Sequence, residues 1–584
     1  MNTARPPMKA DRPSPLPLFE APAYAVPRPP APISIRLDGN EGEGPSQSIV
    51  SAIQELSSED LRSYPPTAQL ESQIAAKYEL AAEQVLVTAG GDEAIQRVLR
   101  VFLGPGRNLI LPTPTFEMIG RYASWTGCSI KEVPWLSPEF PVEEIIEATD
   151  SESAVIAVVS PNNPTGFVAT PDELQRLALA APQSLIMVDC AYGEFADQDL
   201  MQEALKLPNV VVLRTFSKAM GLAGLRTGFA LGPAKLIGPL RGAGLPYPIS
   251  APALAAATAS LQLESESRGF IERVREEREK LRAGILEIGM RCEPSQGNFV
   301  FARTQNALDG RWWRDALAGM GIGIRAWPTK PKLSDAIRIT CPGSEAQFKA
   351  LEKALQTLAL PEAICFDVDG VLADVSRSYR RAIAETVASY GAQTNAAEID
   401  AIKSEGDANN DWLLTQKILA RRGIESDFNE VKARFEELYQ GKDGNPGLWA
   451  AERFIGERQA LLELSEKLPL AMVTGRPRKD AERFIKQFEL EGLFSAVITM
   501  EDAPAKPSPE PVLLAMETLG VERVWMLGDT PDDIEAARGA GALPIGILAP
   551  GSEREKQSQI LLEKGAAFVW PSWMKIKENL KCML

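Results

Sequence analysis

The chain is 584 residues long, with 45% hydrophobic and 24% charged residues. This length is too great for one ordinary domain and the composition is that of an average globular protein, so we expect at least two hydrophobic cores. The formal net charge of −16 argues against nucleic acid or an anionic membrane as a partner. The chain contains no histidine, which excludes Ser-His-Asp triads, His-ligated zinc and histidine general bases.

The six cysteines are scattered singly, without a CxxC pair, which fits a reducing cytoplasm. No apolar run approaches the length of a membrane span, and the N-terminus lacks the apolar core of a signal peptide. Residues 1–32 are rich in proline, with interspersed arginine and lysine, and we predict a disordered arm there. We therefore expect a cytoplasmic protein.

From about residue 69 to 245, short apolar strands alternate with amphipathic helices, which predicts a doubly wound, mostly parallel sheet. Strand 84–88 is followed by Gly91, Asp92 and Glu93 at the start of a helix, where backbone N–H groups can bind an anion. Strand 154–160 leads into the sequence PNNPTG, which by itself predicts only a rigid turn. These residues fall where α/β proteins place their chemistry, at the carboxyl ends of strands.

A third predicted strand, 185–189, ends in Asp189, a buried carboxylate that needs a cation. The pyridinium nitrogen of pyridoxal phosphate is such a cation, and an aspartate partner keeps that ring protonated so that it acts as an electron sink. Tyr192 follows at the same edge of the sheet, where its hydroxyl can bond the phenolic oxygen of the ring.

Lys218 lies beyond the next apolar run, between the hydroxyls of Thr215 and Ser217 and the guanidinium of Arg226. Hydroxyls and a guanidinium suit a phosphate, and the amine can attack a carbonyl carbon. The set therefore fits a Schiff base with a phosphorylated aldehyde. A serine-lysine pair alone is equally compatible with a surface lysine beside a glycine-rich turn, and the neighbouring strand ends favour the catalytic interpretation.

Residues 246–358 begin with a long helix rich in alanine and glutamate and continue with short strands, which predicts a smaller α+β domain. Arg325 and Arg338 each lie on a short, otherwise apolar strand. Because a buried guanidinium without a counter-ion is costly, we expect both to bind anions.

In order and spacing, PNNPTG, DxxY and SKxxGLAGLR resemble the fold-type I pyridoxal-phosphate aminotransferases over about residues 33–358, most closely the histidinol-phosphate aminotransferases. The resemblance implies a covalent bond from Lys218 to the cofactor, Asp189 on its pyridine nitrogen, and Asn163 and Tyr192 on its phenolic oxygen. It implies that the cofactor is further held by Tyr64, Gly91, Asp92, Glu93, Phe116, Thr215, Ser217 and Arg226. The resemblance also implies that the substrate is bound by Tyr24, Asn298, Arg325 and Arg338.

Three details of this resemblance bear on assembly and substrate. Tyr64 matches the family tyrosine that reaches across a dimer interface to the neighbour's cofactor phosphate. The arginine pair meets the carboxylate of glutamate and the phosphate of the substrate in the family. Residues 40–46, NEGEGPS, are one residue shorter than the family's NENPxGPS and lack its first proline, which leaves the geometry of this loop open.

A second set of motifs begins at about residue 361, almost without a linker. Asp367 and Asp369 follow an apolar strand and point the same way, so they converge on one cation, although DxDG alone is equally compatible with a turn or a calcium loop. The later motifs place a hydroxyl, a lysine and two carboxylates after further strands: Thr474, Lys506, Asp529 and Asp533. Together these motifs resemble the haloacid-dehalogenase phosphatases over residues 361–584.

This second resemblance implies Asp367 as the nucleophile, Asp369 as general acid and base, and Thr474 and Lys506 as stabilisers of the transferring phosphoryl group. Mg²⁺ is implied at Asp367, the carbonyl of Asp369 and Asp529, with Asp533 close by. Residues 373–468 resemble the helical cap that closes such sites. Within them, residues 408–412 are compatible with a helix N-cap, which we favour, or with a substrate contact.

We predict an α/β protein with a large pyridoxal-phosphate transferase domain (69–245), a small α+β domain (246–358) and a Rossmann-like haloacid-dehalogenase domain with a helical cap. The predicted enzyme combines transamination, with glutamate as donor and histidinol phosphate as product, and Mg²⁺-dependent phosphomonoester hydrolysis. The alternatives are another aminotransferase or a decarboxylase fused to a phosphoglycolate-phosphatase-like hydrolase, or a chain with one non-catalytic regulatory half. The expected cofactors are pyridoxal 5'-phosphate and Mg²⁺, and the expected assembly is a homodimer.

Overall fold

The computed structural model describes residues 29–304, 309–404, 410–442 and 446–581. Most of the predicted N-terminal arm, including Tyr24, lies outside the described residues. The described chain forms two compact units. Unit 1 comprises Asn40–Arg278 and Glu293–Val300, and unit 2 comprises 29–39, Glu279–Cys292 and the described residues from Phe301 onwards.

The first 360 residues supply twelve strands to the described structure. These strands are β1 (Ile35–Leu37), β2 (Val85–Thr88), β3 (Asn108–Thr113), β4 (Ser129–Pro134), β5 (Ser153–Val159), β6 (Leu185–Asp189), β7 (Val210–Thr215), β8 (Gly228–Leu231), β9 (Arg291–Cys292), β10 (Phe299–Arg303), β11 (Ile322–Ala326) and β12 (Ala336–Thr340).

Helices of this part alternate with the strands. They are α1 (Gln47–Gln54), α2 (Ser58–Arg62), α3 (Ala68–Lys77), α4 (Gly90–Phe102), α5 (Glu117–Ser124), α6 (Val142–Ala148), α7 (Pro171–Ala180), α8 (Met201–Ala204), α9 (Ala234–Gly242), α10 (Ala251–Gln262), α11 (Glu264–Glu287), α12 (Gly310–Gly319) and α13 (Glu345–Ala359).

Unit 1 is built on a seven-stranded sheet in the order β2-β8-β7-β6-β5-β3-β4. The sheet is parallel except for β8, which runs antiparallel to both β2 and β7. Alternate residues of each central strand point to opposite faces: in β6, Ile186 and Val188 pack into one apolar cluster, and Leu185 and Met187 into another. Because both faces are covered, the strands are apolar throughout, and polar side chains begin where the strands end.

Unit 2 contains a second, smaller sheet in the order β1-β11-β12-β10-β9. Strand β1 pairs in parallel with β11, and β11 pairs antiparallel with β12. Helix α10 and the part of α11 up to Arg278 belong to unit 1, so the division between the units falls elsewhere than the boundary at residues 245–246 expected from the sequence. Only Leu360, Pro361 and Glu362 separate α13 from the next strand.

The remainder of unit 2 has two further sheets. Its strands are β13 (Ala363–Phe366), β14 (Ala373–Asp374), β15 (Arg453–Phe454), β16 (Leu470–Val473), β17 (Ala496–Ile498), β18 (Val524–Gly528), β19 (Leu543–Ile547) and β20 (Phe568–Trp570). Its helices are α14 (Tyr379–Ser389), α15 (Ala396–Ser404), α16 (Asp411–Arg421), α17 (Phe428–Gln440), α18 (Arg458–Ser465), α19 (Arg478–Gln487), α20 (Glu510–Leu519), α21 (Pro531–Gly539), α22 (Arg554–Glu563) and α23 (Ile576–Lys581).

Six of these strands form a parallel sheet in the order β17-β16-β13-β18-β19-β20. The short strands β14 and β15 pair antiparallel and flank an insertion that contains helices α14 to α17. In this insertion, Asn410 accepts hydrogen bonds from the backbone N–H groups of Trp412 (3.0 Å) and Leu413 (3.2 Å). Asn410 is therefore the N-cap of α16, and the N-cap interpretation of residues 408–412 is confirmed.

Within unit 2, the part that carries the small sheet packs directly on the part that carries the six-stranded sheet. Trp312, on α12, stacks on Phe568, on β20, with ring centroids 5.2 Å apart, and its indole N–H donates to Oδ1 of Asn579 at 3.1 Å. The buried indole of Trp525 donates to the carbonyl of Thr357 at 2.8 Å. No helix in the described part of the chain is both long and apolar enough to span a lipid bilayer.

Candidate active sites

The first candidate site lies at the carboxyl ends of three adjacent strands of unit 1, β5, β6 and β7. Asp189 is the last residue of β6 and is buried. Its carboxylate accepts a hydrogen bond from the backbone N–H of Ala191 at 3.1 Å. Burial raises the pKa of Asp189 to about 6, against the opposing effect of that N–H group. The site therefore holds a carboxylate whose negative charge is only partly compensated.

Lys218 and Tyr192 lie side by side in this site. The Lys218 ammonium is 5.6 Å from the centre of the Tyr192 ring. The Tyr192 hydroxyl accepts a hydrogen bond from Nδ2 of Asn40 at 3.0 Å, and Nδ2 of Asn298 donates to the backbone carbonyl of Asn40 at 3.3 Å. Asn298, predicted to bind substrate, thus positions the loop that carries the partner of Tyr192.

A cradle for an anion adjoins these residues. Thr215 and Ser217 are joined through their hydroxyl oxygens at 2.9 Å, and the Ser217 N–H donates to Oγ1 of Thr215 at 3.1 Å. Arg226 forms an ion pair with Asp92 at 2.7 Å, beside the N-terminus of α4. A Cβ on Gly90 would lie 3.0 Å from Nη2 of Arg226. The glycine therefore gives the guanidinium room beside the N–H groups of the helix, where a phosphate binds favourably.

Four other predicted cofactor residues take different positions. The side chain of Glu93 accepts a hydrogen bond from the Ala89 N–H at 2.6 Å and pairs with Arg97, so its carboxylate closes the first turn of α4. Gly91 follows Gly90 in that first turn. Phe116 precedes α5 and packs, half-buried, against an apolar cluster. Tyr64 is 76% exposed and stacks on Tyr247, with ring centroids 4.6 Å apart.

The turn after β5 assigns different tasks to its two asparagines. Asn162 is fully buried and bonds the Thr115 hydroxyl, the Pro114 carbonyl and the Thr165 hydroxyl at 2.7–2.9 Å. These contacts hold the turn, whereas Asn163 is only partly buried. Asn162 therefore has a structural role, which the motif PNNPTG does not distinguish from the cofactor contact predicted for Asn163.

The shortened loop that follows Asn40 packs against the Lys218 segment. A Cβ on Gly42 would lie 1.9 Å from the carbonyl oxygen of Lys218, and a Cβ on Gly221 would lie 2.0 Å from that of Glu43. The two backbones are therefore in direct contact through glycines. Gly42 therefore stands at a place where any side chain would displace the lysine segment.

In unit 2, the small sheet brings the predicted arginine pair together. Arg325 on β11 and Arg338 on β12 are direct cross-strand neighbours, and both are buried. Nη2 of Arg338 donates to the carbonyl of Asp38 at 2.6 Å, and the Arg325 guanidinium lies 5.5 Å from the centre of the Trp327 ring. Two adjacent buried cations repel each other, which favours an anionic ligand at this pair.

The second candidate site lies at the carboxyl edge of the six-stranded sheet. Carboxylate oxygens of Asp367, Asp529 and Asp533 lie within 4.8 Å of one another, a spacing suited to one metal ion. The Lys506 ammonium contacts Asp367 at 2.7 Å and the Val473 carbonyl at 3.1 Å, and it also pairs with Asp533. The structure therefore assembles the predicted nucleophile, lysine and metal ligands.

Electrostatics in this cluster favour the binding of a further cation. Burial raises the pKa of Asp367 to about 7; Lys506 opposes this shift, while Asp533 and Asp369 add to it. Burial also raises the pKa of Asp529, with repulsion from Asp533 and Asp367. Gly370, at φ +76°, fits closely here because a Cβ would lie 2.1 Å from Oδ2 of Asp529. Asp367 and Asp533 share the ammonium of Lys506, so the cluster fits Mg²⁺ as a further cation.

Asp369 is held apart from the other carboxylates by Arg476, a residue to which the sequence assigned no role. Nε of Arg476 donates to Oδ1 of Asp369 at 2.8 Å, and Nη1 donates to Glu452 at 3.0 Å. Tyr439, on α17, donates to the same Glu452 at 2.9 Å. The backbone N–H of Arg476 also donates to the predicted phosphoryl ligand Thr474 at 3.1 Å. The predicted acid is thus linked to the helical insertion.

Comparison with known proteins gives the class of each half. Residues 35–355 match the family model for class I and II aminotransferases, and residues 361–541 match that for haloacid dehalogenase-like hydrolases. Because the first match covers more than half of the chain, the chain belongs to the class I and II aminotransferase family. A haloacid dehalogenase-like hydrolase domain follows it in the sequence. Both resemblances, the α/β fold class and the expectation of an enzyme are confirmed, and the expected cofactors agree with these two families.

Particular relatives narrow the first class. A histidinol-phosphate aminotransferase of Ruminiclostridium cellulolyticum is 32% identical over 348 residues, which cover 58% of this chain and 94% of that protein. A histidinol-phosphate aminotransferase of Sinorhizobium meliloti, solved with pyridoxal-5'-phosphate, has the same fold, at a TM-score of 0.51 and 24% identity over 56% of this chain and 92% of that chain.

A third relative bears a different name. An imidazoleglycerol-phosphate dehydratase of Phytophthora nicotianae is 45% identical over 197 residues, 32% of this chain. The chain spans only 44% of the length of that protein. The N-terminal domain is therefore similar to histidinol-phosphate aminotransferases.

Proposed function

We propose that this protein is a bifunctional enzyme that makes histidinol phosphate by transamination and then removes its phosphate. The first reaction converts imidazole-acetol phosphate with glutamate as the amino donor. The observation that carries the proposal is that one chain joins a histidinol-phosphate aminotransferase-like domain to a hydrolase domain with a complete cluster of Asp367, Asp529, Asp533 and Lys506. The product of one half is then the substrate of the other.

In the aminotransferase half, the residues of unit 1 hold the cofactor and move protons. Lys218 forms the covalent bond and transfers the proton at the substrate carbon, and Asp189 holds the proton on the pyridine nitrogen. When bound, pyridoxal 5'-phosphate supplies the electron sink. Asn163 and Tyr192 would bind its phenolic oxygen, and Phe116 would lie against its ring. Its phosphate would be held by Gly91, the backbone of Asp92 and Glu93, Thr215, Ser217 and Arg226.

The arginine pair of unit 2 binds the anionic groups of the substrates. Arg325 and Arg338 bind the carboxylate of glutamate and the phosphate of the second substrate, because adjacent buried guanidiniums are stabilised by such anions. Asn298 and Tyr24 complete the substrate contacts by resemblance to the family. The two substrates bind in turn, which gives ping-pong kinetics.

In the phosphatase half, Asp367 attacks phosphorus, the ester bond breaks, and Asp369 donates a proton to the departing alkoxide. Asp369 then accepts a proton from the water that hydrolyses the aspartyl phosphate. Thr474 and Lys506 stabilise charge on the phosphoryl oxygens. Asp367, Asp529 and the carbonyl of Asp369, with Asp533 close by, would hold Mg²⁺, which would supply Lewis-acid stabilisation of the same oxygens.

The active form proposed is a homodimer. Tyr64 and Leu61, and their neighbours Leu245 and Tyr247, leave large apolar side chains exposed on unit 1, by 47–76%, and exposed apolar patches mark association sites. In the proposed dimer Tyr64 reaches the partner's cofactor phosphate. When Lys218→Ala and Tyr64→Ala subunits are mixed, activity is expected to reappear, because one hybrid site carries both native residues. Hybrids that form but remain inactive would contradict a shared site.

A reducing cytoplasm is the proposed location, supported by five free cysteines among the described residues. A chain without histidine also has the advantage that it can be translated when histidine is scarce.

The deciding experiment measures kcat/KM for phosphate release by the full-length protein. Histidinol phosphate is compared with phosphoglycolate, phosphoserine and sugar phosphates, in a Lys218→Ala background that removes transamination. We expect histidinol phosphate to be the best substrate by at least about tenfold. A poor rank for histidinol phosphate would refute the consecutive pair of reactions. Product analysis of the transaminase, including carbon dioxide release, separates transamination from decarboxylation.

A further inference from the structure

The helical insertion contributes charged side chains to a cleft over the phosphatase carboxylates. Asp367, Asp369 and Asp529 are among the residues that line this cleft. The insertion contributes Arg380 from α14, Lys403 from α15 and Asp411 from α16. Three separate helices thus each place one charged side chain against the site.

Lys403 and Asp411 form an ion pair, with Nζ and Oδ1 3.1 Å apart. Their side chains are only 20% and 11% exposed. A pair this buried loses hydration that its mutual attraction does not fully restore, so it adds little to stability compared with apolar residues. Asp411 is also the first residue of α16, where a carboxylate favours the helix dipole. That role explains its charge but is satisfied equally well by a carboxylate that faces solvent.

The other acidic residue at this end of the cleft is already engaged. Asp374, on β14, accepts a hydrogen bond from the N–H of Ser376 at 3.0 Å and so holds the turn that leads into α14. Asp411 shares its charge with Lys403, which lines the same cleft, so both members of this pair are within reach of a bound molecule. The insertion therefore presents Arg380, Lys403 and Asp411 to a ligand, opposite the carboxylate cluster that is proposed to hold Mg²⁺.

We propose that Asp411 binds the ammonium group of the substrate, so that the phosphatase site selects phosphate esters of amino alcohols. This inference rests on the proposed phosphatase activity and names the class of substrate. The phosphate matches Lys506 and the cations of the insertion, and the ammonium, a few bonds away, matches Asp411 beside Lys403. A phosphoglycolate carboxylate would meet Asp411 with like charge, and a sugar phosphate would offer it no cation.

The test uses matched pairs of substrates that differ by one amino group. Histidinol phosphate is compared with its deamino counterpart, and 2-aminoethyl phosphate with ethyl phosphate, as kcat/KM of the full-length Lys218→Ala protein with Mg²⁺. We expect the amine to raise kcat/KM by about 10- to 100-fold, as for a hydrogen-bonded charge pair. In Asp411→Asn this ratio is expected to fall close to one.

Two further variants separate recognition from structure. Glu425→Gln removes one negative charge from an exposed site of the same insertion, and it is expected to keep the full ratio. Asp411→Glu keeps the charge at the start of α16 but moves the carboxylate, and it is expected to lower the ratio while the melting temperature stays unchanged. This variant also serves if Asp411→Asn fails to fold.

An equal loss of activity with both members of a pair in Asp411→Glu would overturn the proposal, and so would an unchanged ratio. The outcome is separable from that of the proposed function. If histidinol phosphate is a poor substrate but 2-aminoethyl phosphate exceeds ethyl phosphate through Asp411, the amine site stands and the identity of the substrate falls. If no phosphate ester is hydrolysed, the proposed phosphatase itself is refuted.

Discussion

Asp189 and Asp367 occupy equivalent positions in two different sheets, yet their surroundings differ. Each follows or ends a buried parallel strand, and burial raises the pKa of Asp189 to about 6 and that of Asp367 to about 7. Asp189 accepts a hydrogen bond from Ala191, and Lys218 and Arg214 favour its ionised form through space. Asp367 contacts Lys506 directly, but shares this cation with Asp533.

The difference shows what each site lacks. At Asp189 a pyridinium would be a direct counter-ion. At Asp367 a counter-ion is already in place, but Asp533 shares its charge, so a divalent ion would compensate the remaining negative charge. Loss of hydration is the main cause of both raised pKa values. The cation that would compensate each carboxylate differs in charge and in shape.

The most severe test of the comparison removes one catalytic group from each half. Lys218→Ala is expected to lower transamination by at least about 10³-fold, because no other amine lies in the motif, while phosphate release stays within about twofold. The absorbance band of the lysine-bound cofactor should disappear. Asp367→Asn is expected to give the reverse pattern. Each variant is the folding control for the other, and loss of both activities in either one would mean that the halves are not independent.

A second prediction removes the shared cation. Lys506→Met leaves Asp367 and Asp533 buried without their lysine, which costs about 3–5 kcal/mol when a buried partner is removed. We expect a markedly lower unfolding midpoint in metal-free buffer, a partial recovery with Mg²⁺, and a loss of phosphatase activity of at least about 10²-fold. Lys564→Met is the matched control, because Lys564 pairs with Glu535 at about 40% exposure on both sides and should cost under about 1 kcal/mol.

Equal destabilisation by Lys506→Met and Lys564→Met would show that the buried carboxylates do not depend on Lys506. Calorimetry with and without Mg²⁺ gives both midpoints for the two variants in one experiment.

Strand ends were the part of these sites that the sequence could predict. Buried parallel strands are continuous apolar runs, so the first polar residue after each run marks the carboxyl edge of the sheet, as with Asp189, Asp367 and Asp529. Lys218 lies beyond the same edge of the first sheet, after Arg214, Thr215 and Ser217. Local motifs were less informative about tasks. The position of Glu93 predicted a contact with the cofactor, but its carboxylate accepts a hydrogen bond from the Ala89 N–H and closes the first turn of α4. The four-residue spacing from Glu93 to Arg97 equally indicates an ion pair within the helix, and the structure has that pair.

Contacts between distant segments were not predictable from periodicity. Arg476 contacts Glu452 because the segment after β16 lies beside the segment before β15. The link from Asp369 to the helical insertion depends on this contact between Arg476 and the buried Glu452. Lys403 and Asp411 come from different helices, and nothing in either helical pattern indicates which side chains face the cleft. The packing of Trp312 on Phe568 joins surfaces more than 200 residues apart in the chain, which no local pattern records.

A third prediction uses pH to measure both raised pKa values. Between about pH 4 and the raised pKa, the folded protein keeps a proton that the unfolded chain has lost, so stability falls as pH rises. From the ordinary value of 3.8, the full loss is about 3 kcal/mol for Asp189 and about 4 kcal/mol for Asp367. We expect denaturant midpoints of cofactor-free, metal-free protein to be lower at pH 7.5 than at pH 5.

The matching asparagine variants identify the groups responsible. Asp189→Asn and Asp367→Asn should each flatten the pH dependence by its own share, because asparagine does not titrate. Pyridoxal phosphate should reduce the remaining slope in Asp367→Asn, and Mg²⁺ should reduce it in Asp189→Asn. A slope that neither variant changes would mean that other groups control stability in this range.

The smallest expected effect concerns the contact between Trp312 and Phe568 inside unit 2. Trp312 is only partly buried, so its loss in Trp312→Ala should cost about 1–3 kcal/mol, less than a fully buried tryptophan. Phe568 belongs to the six-stranded sheet, whereas Lys218 belongs to unit 1. The temperature at which phosphatase activity is lost should therefore fall, while the cofactor absorbance at 25 °C stays unchanged. Trp312→Phe keeps a ring on Phe568 and loses only the bond to Asn579, and should cost about 1 kcal/mol. If Trp312→Phe is as damaging as Trp312→Ala, the hydrogen bond rather than the stacked ring stabilises the interface.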